Sequence, residues 1–142
     1  MRTKLCRNER GTALLETAIT IPIILLISVG IFEFGRAYQT WQVLTNAARE
    51  GARVSVLSDK TDGDVEAAVR AYMQAGSLPG HASAGVVIDR GVAMGANTGS
   101  RITVNYPFSF IVLNGVANLV TKGSTAGQPL TMQSVALMRN EF

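Results

Sequence analysis

The sequence predicts an α+β protein: a long N-terminal helix whose first half is transmembrane, packed through its second half on a small antiparallel sheet with a second helix. Three observations predict this. No Asp, Glu, Lys or Arg falls between Glu16 and Glu33, and with Ala13 to Leu15 before it and Phe34 behind, the apolar segment reaches the roughly 20 residues that cross a bilayer as a helix. Past that segment an apolar stripe continues at helical spacing through Phe34, Tyr38, Trp41, Leu44, Ala48 and Ala52. Further on, Ile102, Val104 and Tyr106 alternate with Thr103 and Asn105, the period of a half-buried strand.

The first element is a basic leader, residues 1–11. Arg2, Lys4, Arg7 and Arg10 stand against the single acid Glu9, and cations flanking an apolar span hold that end in the cytoplasm. The expected topology is N-terminus in and C-terminus out. The whole chain has a net charge of +3, and the leader alone accounts for it, leaving residues 12–142 balanced. The high isoelectric point therefore describes the leader and gives no sign of a nucleic-acid partner. A secretory signal peptide shares the basic start and the apolar run. It also needs a small-x-small cut site, and Gly35-Arg36-Ala37 is a poor one. Cys6 is the only cysteine and precedes the apolar run, so an intrachain disulfide is excluded and the position does not suit a lipoprotein.

The transmembrane segment spans residues 12–34, with a local bend expected at Pro22. Residues 35–57 continue the same helix outside the membrane, making about 45 residues and about 70 Å in all. Ala47, Ala48, Gly51 and Ala52 form two pairs of small residues four apart, which lets another backbone come close, from the globular part or from another subunit. Arg49, Glu50 and Arg53 read as a solvated helix face, with Arg53 favourably near the helix C-terminus. Residues 58–142 form a small exported α+β domain that needs the long helix to complete its core. In it Asp62 offers an N-cap, Asp64 and Glu66 occupy the first turn, and Val65, Ala68, Val69, Tyr72 and Met73 share one face of a second helix that ends at Gly76 and Pro79. Strands are expected at Ala84 to Ile88, Ile102 to Tyr106 and Leu130 to Met138. Gly91 to Gly99 reads as a flexible hairpin connection, since it lacks the Lys-Ser or Lys-Thr of a phosphate loop. Phe108 to Val120 fits a short helix or an apolar loop. Its cluster Phe108, Phe110, Ile111, Val112 and Leu113 fits core, a subunit contact or a dip into the membrane interface.

Within the apolar segment the residue that asks for a reason is Glu16. A carboxylate in lipid costs about 2.5–3.5 kcal/mol near the bilayer centre and less at its edge. Either Glu16 snorkels to the headgroups or it meets a positive partner. A basic leader, Gly11, four uncharged residues, Glu16 and a long apolar helix resemble the processing signal of type IV pilins and pseudopilins. In those families a prepilin peptidase cuts after the Gly, and the Glu pairs with the new amine of a neighbouring subunit during assembly. The resemblance implies a cut between Gly11 and Thr12, with Glu16 fifth in the mature chain. Thr12 departs from the usual aromatic or Met, and Thr17 from the Tyr of the short Flp-type pilins.

Gly11-Thr12-Ala13-Leu14-Leu15-Glu16, the Pro-containing apolar run, Phe32-Glu33-Phe34-Gly35-Arg36, Asn46 to Arg53 and Met138-Arg139-Asn140-Glu141 together resemble the TadE family of Flp (Tad) pilus assembly proteins. The resemblance is strong over residues 10–53. It implies a type IV pilin-like fold and a non-enzymatic pseudopilin anchored in the inner membrane, its C-terminal part periplasmic. The implied partners are prepilin peptidase, other Tad pilus subunits and the assembly platform.

Nothing in the residues points to catalysis, a metal or a cofactor. His81 is the only histidine, set in a Gly-rich stretch, and one His supplies neither a metal site nor a base for Ser77 or Ser83. Asp62, Asp64 and Glu66 lack the spacing of a calcium loop. Two functions remain: a pseudopilin of a Flp-type machine, or a membrane-tethered periplasmic binding or adhesin module that is never processed.

Overall fold

The structure, a computed structural model, describes residues 9–95, 97–112, 114–115 and 129–140. The cations Arg2, Lys4 and Arg7, Cys6, and the part of the ambiguous apolar stretch from Val116 to Val120 lie outside the described residues. Helix α1 runs Glu9–Ser55, 47 residues and so about 70 Å long, and it passes through Pro22 as one helix. Helix α2 is Asp62–Ala75, and strands β1 (Gly85–Met94), β2 (Asn97–Phe108) and β3 (Leu130–Arg139) form an antiparallel sheet in that order.

The core lies between the second half of α1, α2 and one face of the sheet. Leu44, Ala47, Ala48 and Ala52 from α1, Val65, Val69 and Met73 from α2, and Ile102, Val104, Tyr106 and Phe108 from β2 are buried together. The small residues of α1 thus pack against the globular part of their own chain. A Cβ on Gly51 would stand 2.5 Å from a Val69 methyl, and one on Gly76 would stand 2.6 Å from Val43, so the absent side chains let α1 and α2 approach.

Two local readings change and two gain detail. The N-cap of α2 is Thr61, which forms a capping box with Asp64: the Thr61 hydroxyl accepts from the Asp64 amide, and the Asp64 carboxylate accepts from the Thr61 amide at 2.9 Å. Asp62 is instead the first helical residue and pairs with Arg90 at 2.7 Å. At the far end Ser77, not Gly76, takes the left-handed conformation (φ 57°), and the Leu78 amide donates to the Met73 carbonyl, as in a Schellman ending. The stretch Gly91 to Gly99 is mostly ladder. Met94 pairs with Asn97 across a tight turn, and the register slips by one residue between Arg90 and Val92, so Gly91 (φ 82°) is the extra residue of a bulge. Of the ambiguous apolar stretch, Phe108 ends β2 in the core, Phe110 packs against it, and a helical turn begins at Val112.

Arg90, on the edge strand β1 just before that bulge, ties the elements together. It donates to the Ser55 and Lys60 carbonyls at 3.2 and 3.1 Å as well as to Asp62. The end of α1, the link and the start of α2 therefore share one guanidinium.

Candidate functional site

Gly11, Thr12 and Glu16 lie on the first two turns of α1. Four residues of rise separate Thr12 from Glu16, about 6 Å along the axis, so both lie on one helix face. Glu16 is exposed on this helix, and its carbonyl accepts a 2.7 Å hydrogen bond from the Thr20 hydroxyl. Thr17 and Ser28 return their hydroxyls in the same way to the carbonyls of Ala13 and Ile24, at 2.8 Å each. Hydroxyls so satisfied suit an apolar surrounding. The flanking side chains Leu14, Leu15, Ile19, Ile23, Ile24 and Leu26 are all more than half exposed. Among the described residues this is one helix long and apolar enough to cross a membrane, and none of its most apolar window is buried inside the protein.

Where the apolar run ends, the structure builds a second site that the sequence did not disclose. Glu33 is fully buried, and its Oε1 accepts hydrogen bonds from the backbone amides of Ile111 and Val112 at 2.8 and 2.6 Å. One turn later, Arg36 faces Glu33 Oε2 at 3.5 Å and donates to the Ser109 carbonyl at 2.8 Å. Its guanidinium also lies over the Phe108 ring, 5.1 Å from the centroid. Phe110 stands edge-on between Phe108 and Phe34, with centroid distances of 5.2 and 6.4 Å. The Phe32 to Arg36 motif is thus a clasp: α1 grips residues 108–112 with one carboxylate and one guanidinium. A carboxylate that accepts two adjacent amides makes charge-assisted hydrogen bonds, stronger than neutral ones. The signal was faint, because the partners of Glu33 are backbone groups 78 and 79 residues later, invisible to any side-chain pattern.

The remaining candidates make local contacts. Arg53 grips Glu50 through two hydrogen bonds, Nε–Oε2 at 2.9 Å and Nη2–Oε1 at 2.6 Å, which holds the Glu50 carboxyl below its usual range. Arg49 reaches Asn46 at 3.3 Å. His81 is half-buried in a short 3₁₀ turn, with Nδ1 3.2 Å from the Leu78 carbonyl. A cleft of about 500 Å³ lies between Arg36 and Thr40 of α1, Ser77 and Leu78, and the end of β2 at Tyr106 and Phe108. Polar and apolar groups line it about equally, and Arg36, Leu78, Tyr106, Phe108 and Ser109 among them already serve the clasp or the core.

The fold and these sites define a class: a protein with one N-terminal helix apolar enough for a membrane, continuous with the core of a small α+β domain. Residues 11–53 match the family model described as TadE-like protein. The match covers α1 from Gly11 almost to its end, including Glu16 and the Glu33–Arg36 clasp, and stops before α2. No curated protein and no solved structure matches the chain.

Proposed function

We propose that this protein is a non-enzymatic, single-pass pseudopilin-like component of a Flp (Tad) pilus assembly machine or related secretion machine. The observation that carries the reading is the TadE-like match across residues 11–53, which falls on one continuous helix holding Gly11, Thr12 and Glu16 at its start and the core contacts at its end. In this reading the N-terminus is cytoplasmic, residues 12–34 cross the inner membrane and the α+β part is periplasmic. Prepilin peptidase cuts between Gly11 and Thr12. The new amine then lies within about one helical turn of a Glu16 carboxylate, its own or a neighbour's, and low local dielectric strengthens such a pair relative to water. A neighbour's amine aligns subunits in register.

The test is Glu16→Gln, which keeps size and polarity but deletes the charge. The variant inserts and accumulates as the parent does, because Glu16 lies far along the helix from the core. Piliation falls sharply, and crosslinks to other pilin-like subunits fade. Normal piliation and crosslinking in Glu16→Gln would reduce Glu16 to a snorkelling boundary residue and remove the pairing step.

A further inference from the structure

The geometry points to a second membrane contact: the loop at Phe110, Ile111 and Val112 inserts shallowly into the outer face of the same bilayer that α1 crosses. The inference rests on the membrane reading of α1. From Thr12 through Phe32 that helix offers about 31 Å at 1.5 Å per residue, close to the roughly 30 Å of a hydrocarbon core, so Glu33 falls at the outer boundary.

The clasp fixes the loop at that height. Both hydrogen bonds to Glu33 come from the amides of Ile111 and Val112, which places this backbone directly beside the boundary residue. Arg36 holds Ser109 one turn further out. So anchored, the loop leaves Ile111 62% and Val112 39% exposed, beside Phe32 at 59% and Phe34 at 66%. Phe110, 6.4 Å from Phe34 between ring centroids, joins this loop to the apolar surface of α1.

The arrangement also accounts for a carboxylate at the edge of lipid. The amides of Ile111 and Val112 supply donors to Oε1 of the buried Glu33, and Arg36, with side-chain exposure of 28%, sets a positive charge 3.5 Å from Oε2. A lipid occupant fits better than a second copy of the chain. The exposed side chains of the loop adjoin the face of α1 that the membrane reading places in lipid. Two attachment points, helix and loop, then set the tilt of the domain over the bilayer.

The experiment uses the full chain in phospholipid vesicles. Against a Cys6→Ser background, single cysteines at Ile111, Val112, Ile24 and Leu137 carry an environment-sensitive fluorophore, and the lipids carry nitroxides at shallow or deep positions. Leu137 marks the exposed sheet and Ile24 the middle of the span. Labels at 111 and 112 are expected to be quenched several-fold more by shallow nitroxides than the label at 137, with the label at 24 quenched by deep ones. If 24 is quenched and 111 and 112 match 137, the loop does not insert and the inference fails alone. If 24 is unquenched as well, the membrane reading of α1 fails and takes the inference with it. Shielding at 111 that ignores the nitroxides but disappears when labelled protein is diluted with lipid would assign the patch to a second copy and overturn the lipid assignment.

Discussion

At the scale of single residues, charge placement divides into groups that shape the fold and one that does not touch it. Glu33 is bound into the fold through two amides and Arg36, so Glu33→Ala leaves two part-buried N–H groups without their acceptor, a loss of about 1 kcal/mol for each hydrogen bond. Amide exchange at Ile111 and Val112 should accelerate by one to two orders of magnitude in that variant, while exchange in β1 stays unchanged. Equal acceleration in both would mean that Glu33 supports the whole domain rather than the loop. Asp64 makes a smaller and pH-dependent contribution. The Thr61 backbone amide, then the Thr61 hydroxyl, donate to its carboxylate and hold its pKa below the ordinary value. A carboxyl whose folded pKa is depressed stabilises the fold above its unfolded pKa, about 3.9, and loses that contribution as pH falls through the folded value. The first turn of α2 should therefore fray below about pH 4, and Thr61→Ala should weaken this dependence as well as costing about 1 kcal/mol at neutral pH. Exchange at the Asp64 and Val65 amides between pH 5 and 3 reads both effects.

At the scale of elements, the close approach of α1 and α2 depends on the absence of two side chains. Gly51→Leu forces a branched group into Val69 and Ile102, and overpacking of this kind costs about 1–3 kcal/mol. Leu44→Ala instead opens a cavity at a fully buried position, at about 2–5 kcal/mol. Denaturant unfolding of the detergent-solubilised protein measures both, and a neutral Gly51→Leu would contradict the packing described. The small-residue pairs and the long helix were legible because both are carried by local spacing. The full lengths of β1 and β2 were not. Glycine at 91, 95 and 99 resembles loop composition, whereas Gly91 and Gly95 serve a bulge and a turn inside a ladder whose other members, Val92 and Met94, alternate inward. The end of α2 at Gly76 was legible, but its reason was not: Gly76 provides space beside Val43, and Ser77 carries the left-handed turn. Composition shows that a glycine is needed, and only the packing shows for what.

At the scale of the molecule, α1 is both the apolar element and one wall of the core, so a pull or tilt on the helix reaches the sheet through Leu44, Ala48 and Ala52 without a hinge between them. A reporter fused after Phe142 should be active only if it works outside the cytoplasm, because the four leader cations orient the span, and cytoplasmic labelling of that end would reverse the orientation proposed. The clasp was beyond reach from sequence since it joins residues far apart through backbone groups, whereas Gly11 and Glu16 are proposed from their spacing to the apolar run. The central claim, that this helix is processed as a pseudopilin's is, meets its most direct test in the intact mass of membrane-extracted protein from cells with and without a prepilin peptidase. The account predicts a chain beginning at Thr12 when the peptidase is present and one retaining residues 1–11 when it is absent. An unshortened chain in both, or shortening that persists without the peptidase, would contradict it and leave a tethered periplasmic module.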